Sequence, residues 1–417
     1  MYVSQLDRPW LDTPFLFQGF FVRDEDEIAE VRQYCRFVYV ADKGVIPPSD
    51  TCVRIPVTRA LTKASNDNVA VQRSLTIFDT DSASSSGEFF EQTNVVYEET
   101  HTLGEEYRRA NDVHQTAMLR VEDVMRRLRE SQTLDVDMMA TAVEPLVDSV
   151  LRNNAAMGCL MRLQQKNDYL FQHSLATSVW ATVLGRQLGL PREDLNTLAM
   201  GAALMDVGMT RIPDSVLDQP RKLRDREFTV VRHHIQYGLE ILDNTDGIHP
   251  HVRQMVAHHH ERYNGTGYPE GLSGNQIPVF GRIAGIVDAY DAMISARPYS
   301  ESLSSYDAIR QLRVLADVEF QAEIVDQFTQ AIGAFPTGTL VELNTGEIAV
   351  VTRQNPVRRL RPEVLIIATA DQQLLDDCRL VDLDQEKVAL DTKVSLWIER
   401  GLAPGAYGID PAEYYLL

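Results

Sequence analysis

The chain has 417 residues, which at about 150 residues per domain points to two or three domains with cores that need no disulfide or structural metal. Forty basic side chains face 60 acidic ones, a net of −20, with 44% hydrophobic and 24% charged residues, the balance of an ordinary soluble globular protein. Such a surface excludes broad binding to nucleic acid or to an anionic membrane, while leaving room for one anionic ligand in a locally positive pocket.

In chain order, residues 1–62 predict a small α+β module. The aromatic runs Phe15-Leu16-Phe17, Phe20-Phe21-Val22 and Phe37-Val38-Tyr39-Val40 read as short strands, and residues 24–34 have helical composition. Residues 63–97 predict a flexible polar linker centred on the serines of 82–87. Residues 98–154 predict a helical connector. Its first helix buries Val121, Val124, Met125 and Leu128; its second buries Met139, Val143, Leu146 and Val150 and is kinked by Pro145. Residues 155–335 read as all-helical, with breaks at 189–191, 212–214 and 264–269. Residues 336–417 predict a β-rich appendage, opened by a hairpin over 340–352 and followed by strands at 364–368 and 394–398. The fold class is therefore mainly α, a helical bundle with small α+β and β-rich flanks.

Cys35, Cys52, Cys159 and Cys378 are scattered and form no C-x-x-C pair, which predicts reduced thiols and a cytoplasmic location. No apolar run approaches the roughly 18 residues that a membrane span needs, and no secretory leader is present.

The charge is unevenly placed. Residues 173–300 hold 12 basic and 14 acidic side chains and are nearly neutral, whereas each flank carries −9. Histidine is concentrated in the same stretch: eight of the ten lie between His173 and His260. His101 and His114, in the charged helical connector, are expected to be exposed and inert. The basic stretch 221–232, interrupted by Asp225 and Glu227, reads as a solvated helix face. Within the histidine-rich window the sequence runs His173, Asp206, His233-His234, His258-His259-His260, Asp288 and Asp291. Any one of these histidines taken alone reads as a plain surface or core residue. Together they form the imidazole and carboxylate donor set of Fe, Mn or Zn, and mixed His/Asp clusters suit two-metal hydrolytic sites.

The order His173-Ser174, Met205-Asp206-Val207-Gly208, His234 with Gly238, the stretch HHERYNGTGYP from His259 to Pro269, and VDAYDAM from Val287 to Met293 resembles the HD-GYP family of metal-dependent phosphohydrolases. The resemblance covers residues 165–330 and implies an HD-type helical bundle that hydrolyses cyclic di-GMP. Residues 6–20 resemble the domain of unknown function that often precedes it, and the β-rich tail resembles its usual extension. In similar proteins a short segment precedes the point matching Met1, which implies either a truncated or mis-assigned start or a natural shortening.

Residue by residue, the resemblance implies that His173, Asp206 and Asp288 hold one metal, that Asp206 bridges, and that His234, His259 and His260 hold a second. The cofactor is then one or two divalent ions, Fe or Mn rather than Zn. Gly267 and Pro269 shape the loop that presents Tyr268 to the ligand, and Arg297 grips a phosphate or a guanine edge. The loop is also implicated in docking a diguanylate cyclase domain.

Three positions depart from the family. Met205 stands where the His of the name-giving pair belongs, Met209 where a Lys is common, and Ser300 where a basic residue often follows. A thioether is a poor substitute for imidazole on Mn(II) or Fe(II), and each lost electrostatic donor removes about 2.7–4 kcal/mol of transition-state stabilisation. The expectation is a weak or impaired phosphodiesterase, or else an inactive domain that senses cyclic di-GMP or acts as an adaptor.

Overall fold

Tyr2–Leu6 (β1), Phe20–Phe21 (β2), Phe37–Ala41 (β3) and Val53–Pro56 (β4) form an antiparallel sheet in the order β2-β1-β3-β4. The computed structural model describes residues 2–6, 20–21, 31–32, 35, 37–41, 53–56, 95–131, 133–163, 169–217, 219, 221–295, 302–355, 358–384 and 396–414. The expected strand at 15–17, most of the helix expected at 24–34, the polar segment 63–94, Cys52, Arg297 and Ser300 lie outside the described residues.

The helical part begins at Leu103–Ser131 (α1). Thr102 and Glu105 close a capping box there: the Thr102 N–H donates to Glu105 Oε2 at 2.9 Å and the Glu105 N–H donates to Thr102 Oγ1 at 3.4 Å. Val136–Arg152 (α2) packs antiparallel on α1 through Met139, Val143, Leu146 and Val150, the stripe that helical spacing predicts. Pro145 leaves the helix continuous. With no N–H on the proline, the Thr141 carbonyl lacks its usual donor, and Arg120 Nη1 of α1 donates to it instead. Buried Glu106 fastens the same pair, accepting from Ser149 Oγ at 2.6 Å and from Arg152 Nε and Nη2 at 2.7 and 2.8 Å. His114 is buried in this packing rather than exposed, and His101 is half-buried with Nε2 2.8 Å from Arg109.

Asn154–Leu163 (α3), Tyr169–Gln187 (α4) and Arg192–Leu204 (α5) follow. After a 3-10 turn at Val207–Arg211 come Asp214–Leu217 (α6), Asp225–Arg232 (α7), His234–Asp243 (α8) and Pro250–His258 (α9), then Val279–Ile294 (α10), Ser305–Val314 (α11) and Ala322–Ile332 (α12). One apolar core runs through them from Tyr107 to Ile332. Its centre is an aromatic column. Trp180 of α4 meets Tyr290 of α10 edge-on at 5.4 Å, and Tyr290 meets Phe328 of α12 at 5.0 Å. Each such pair adds about 0.5–1.5 kcal/mol beyond area burial, and the column fixes α4 against α10, the helices that carry His173 and Asp288.

Leu340–Leu343 (β5), Ile348–Arg353 (β6), Glu363–Ala368 (β7), Leu374–Asp382 (β8) and Ile398–Gly401 (β9) make a second antiparallel sheet in the order β8-β7-β6-β5-β9. Both of its faces are covered. Ala349 and Val351 point into one apolar cluster, Ile348 and Val350 into another, as the two-residue period of a strand requires. The strand expected at 394–398 meets β9 only at Ile398: residues 394–395 lie outside the described residues and Leu396 and Trp397 are not in a strand; β8 was not expected. Tyr306 of α11 stacks on Phe335 at 4.9 Å and joins this sheet to the bundle. No helix among the described residues is long and apolar enough to cross a membrane.

Candidate metal centre

Five chain segments converge at one end of the bundle. His173 lies near the start of α4, Asp206 directly after α5, His234 at the first position of α8, His259 and His260 just past α9, and Asp288 in α10. Gly208 is what allows the 3-10 turn after α5 to meet α8 there. A Cβ at that position would lie 1.9 Å from the His234 carbonyl oxygen and 2.5 Å from the Gly238 nitrogen. Only a residue without a side chain lets the 3-10 turn press onto the helix backbone, and that contact sets Asp206 beside His234.

The donor atoms fall into two overlapping groups, Asp206 with His234, His259 and His260, and His173 with Asp206 and Asp288. Asp206 belongs to both. Its Oδ2 is 3.5 Å from His173 Nε2, and its Oδ1 is 3.3 Å from His234 Nε2 and 3.7 Å from His259 Nε2. Asp288 is 3.2 Å from His173 Nε2 and 3.7 Å from His260 Nδ1.

The second ring nitrogens decide which atoms face inward. His234 Nδ1 donates to the Val231 carbonyl at 2.8 Å, and His259 Nδ1 lies 3.2 Å from the carbonyls of Met255 and Val256. His173 Nδ1 donates to Asp291 Oδ2 at 2.7 Å. Carbonyls and carboxylates only accept, so each of these Nδ1 atoms carries the proton and each Nε2 presents a lone pair. His234 Nε2 and His259 Nε2 then face one another at 3.4 Å, with the buried Asp206 Oδ1 beside them lacking any hydrogen-bond partner. Lone pairs and a carboxylate oxygen gathered at this distance repel unless a cation lies among them. The donor set therefore fits a divalent metal, and the six side chains form a divalent-metal-binding cluster.

Ionisation agrees with that role. Burial opposes the charged form of His234 and of His260, so both stay neutral below the usual imidazole range, His260 well below it. Burial alone would push the Asp206 and Asp288 carboxyls up, but a proton added to the centre goes to the facing imidazoles, His173 first, and this holds both carboxyls well below their ordinary range. Neutral imidazoles and ionised carboxylates are the forms that bind metal.

Met205 corrects the sequence reading. Its side chain is 1% exposed and belongs to the apolar core together with Ala202, Ala203 and Leu204. The cluster assembles from His173, Asp206, His234, His259, His260 and Asp288, and the His/Asp set is intact beside Met205. The impairment expected from Met205, and the inactive alternative built on it, are therefore withdrawn. Met209 is half-buried in the 3-10 turn. Met205 acts as core filling, so Met205→Leu is expected to leave metal content per chain unchanged and to shift stability by less than about 1.5 kcal/mol. Loss of bound metal in that variant, measured by elemental analysis, would count against the assignment.

Tyr268 closes one side. Its ring stacks on His260 at 4.7 Å and its N–H donates to the His260 carbonyl at 3.2 Å. Gly267 is required for this return, because a Cβ there would lie 2.4 Å from the Arg262 nitrogen and 2.5 Å from the His260 oxygen. Pro269 follows through a cis peptide bond. Burial, reinforced by the charges of Asp206 and Asp288, pushes the Tyr268 hydroxyl well up, so it remains a protonated donor.

Three residues outside the implied ligand set support the centre. Buried Glu261 accepts from the N–H groups of Glu270, Gly271 and Leu272 at 2.7, 3.1 and 3.0 Å and anchors the loop beyond Pro269. Asp291 orients His173 and is itself held by Trp180 Nε1 at 2.9 Å. Arg232, at the end of the basic stretch, places its guanidinium carbon 4.4 Å over the Tyr268 ring. Asp291, one of the candidate donors in the sequence, serves as the partner of His173 and lies outside both donor groups. Outer partners of ligating histidines typically carry 10- to 100-fold in metal affinity, so Asp291→Asn is expected to weaken metal binding by about that factor with the fold intact. Titration with a chelator-buffered metal would read it, and unchanged affinity would refute the orienting role.

Comparison with known proteins agrees with this geometry. Residues 159–324 match the HD domain family, residues 1–139 a domain of unknown function (DUF3391), and residues 340–393 the KOW domain associated with HD domains. A protein of Pseudomonas aeruginosa named cyclic di-GMP phosphodiesterase is 30% identical over 386 residues, which span 92% of this chain and 86% of that protein. The cyclic di-GMP phosphodiesterase response regulator RpfG of Xanthomonas campestris is 38% identical over 38% of this chain and 44% of its own length. A 3'3'-cGAMP-specific phosphodiesterase of Vibrio cholerae is 31% identical over 37% of this chain and 30% of its own length.

Proposed function

Because this chain belongs to the HD-GYP branch of the HD superfamily of metal-dependent phosphohydrolases, we propose that it is an active phosphodiesterase that hydrolyses cyclic di-GMP. The observation that carries the reading is Asp206, one carboxylate shared between two converging donor groups. That arrangement suits two ions held side by side, the set used for in-line attack on phosphorus. Cyclic di-GMP is preferred over 3'3'-cGAMP because the relative matched along 86% of its length is named for cyclic di-GMP.

His173, Asp206 and Asp288 would hold one ion, and Asp206, His234, His259 and His260 the other. Imidazole and carboxylate donors suit Fe, Mn or Zn alike, and the preference for Fe or Mn rests on the family resemblance alone. When bound, the ions supply Lewis-acid activation of water and neutralise phosphate charge. The chain's own contribution is positional. Asp291 and the carbonyls of Val231, Met255 and Val256 fix the imidazole tautomers, so the donors need no reorganisation when ligand enters. Tyr268, kept protonated by burial, would donate its hydroxyl hydrogen to a phosphate oxygen.

The test is metal content per chain measured alongside turnover of cyclic di-GMP and 3'3'-cGAMP, on protein stripped and then reloaded with Mn, Fe or Zn. Turnover of cyclic di-GMP that rises with Mn or Fe occupancy supports the proposal. Fully loaded protein no faster than the stripped sample would refute it.

A further inference from the structure

Resting on that reading, we propose that Arg232 grips the second phosphate of the dinucleotide, the one that the metal cluster does not engage. Arg232 is the last residue of α7 and stands two residues before His234, so the backbone sets it at a fixed distance from the centre. Phe228 and Arg232 are four apart and share one face of the helix. The guanidinium carbon is 4.4 Å over the Tyr268 ring and 5.0 Å over the Phe228 ring, and the two rings meet edge-on at 6.5 Å. Tyr268 also stacks on His260. One ring cannot take both neighbours on the same face, so Tyr268 is sandwiched between a metal-site imidazole and the guanidinium.

This placement leaves the charge free. A guanidinium stacked on rings keeps its N–H groups at its edges, ready for a planar, bidentate acceptor such as phosphate. Several other arginines among the described residues are already committed. Arg262 pairs with Glu319 at 3.4 Å and donates to the carbonyls of His259 and Glu261, Arg211 pairs with Glu240 at 2.9 Å, and Arg221 pairs with Glu227 at 2.7 Å. Arg232 is exposed, and among the described residues no carboxylate pairs with it. Phe228 beside it is 44% exposed, a large apolar ring left at the rim. A cyclic dinucleotide carries two phosphates, and a two-ion cluster acts on one. On a chain with a net charge of −20 the other needs a local cation, and Arg232 is the one that the geometry places against Tyr268, beside the cluster.

The experiment compares wild type, Arg232→Gln and Arg232→Lys as full-length, metal-loaded protein. Each is assayed on cyclic di-GMP and on bis(p-nitrophenyl) phosphate, which has a single phosphate, with metal content measured in parallel. The expected result is that Arg232→Gln loses about 10- to 100-fold more kcat/KM on the dinucleotide than on the one-phosphate ester, chiefly through KM, with bound metal retained. Lysine, which keeps the charge without the planar fork, should recover part of that loss. Equal losses on both substrates would overturn the proposal and make Arg232 a structural support for Tyr268. An unchanged KM for the dinucleotide would also overturn it. A wild type that cleaves the ester but not cyclic di-GMP would instead defeat the proposed function, and the role of Arg232 with it.

Discussion

Asp206→Asn is expected to empty the metal centre and to lower turnover about 10³-fold or more, with the helical bundle intact by circular dichroism. Each carboxylate oxygen serves a different group: Oδ2 faces His173 at 3.5 Å, and Oδ1 faces His234 and His259 at 3.3 and 3.7 Å. An asparagine has one oxygen and one NH2. Whichever way the amide turns, one group receives donor hydrogens where it needs a lone pair, and both lose the negative charge. Asp288→Asn provides the contrast. Asp288 belongs only to the group with His173 and Asp206, so its loss should leave the four-residue group able to hold an ion. Elemental analysis therefore separates the two variants: near-zero metal for Asp206→Asn and a partial complement for Asp288→Asn. Equal metal content in both would refute the shared role of Asp206.

The sequence makes some of this architecture plain and hides the rest for physical reasons. The bundle is legible where a helix buries one stripe, as α2 does with Met139, Val143, Leu146 and Val150. Strand β8 is not, because it is an edge strand with Asp376, Asp377 and Arg379 in water and no apolar alternation to read. The histidine density and the paired Asp residues point to the region of the centre. Met205 misleads because its place next to Asp206 suggests a missing ligand, and only its burial among Ala202, Ala203 and Leu204 shows what it does. Asp291 is visible as a residue and invisible as a partner, since its role depends on Trp180 and His173 arriving from α4. Arg232 is hidden within a basic run whose members look alike until one of them stacks on Tyr268.

Gly208→Ala should be the most damaging single methyl group near the centre. The added carbon would meet the His234 carbonyl oxygen at 1.9 Å, the Gly238 nitrogen at 2.5 Å and the His234 carbonyl carbon at 2.8 Å. All three are backbone atoms of α8, so no side-chain rotation relieves the clash. The 3-10 turn must lift off the helix, which carries Asp206 away from His234 and removes the contact on which both donor groups depend. The expected outcome is a loss of about 3 kcal/mol or more of stability, read as a lower urea midpoint, together with loss of bound metal. Gly238→Ala distinguishes a local backbone collision from general crowding. Its nearest obstacle is Val256 Cγ1 at 2.9 Å, a side-chain atom that can move, so that variant should keep its metal and lose less stability. If Gly208→Ala instead binds metal with wild-type stoichiometry, then the approach of the turn to α8 is not what places Asp206, and the geometry of the centre must be set by α5 alone.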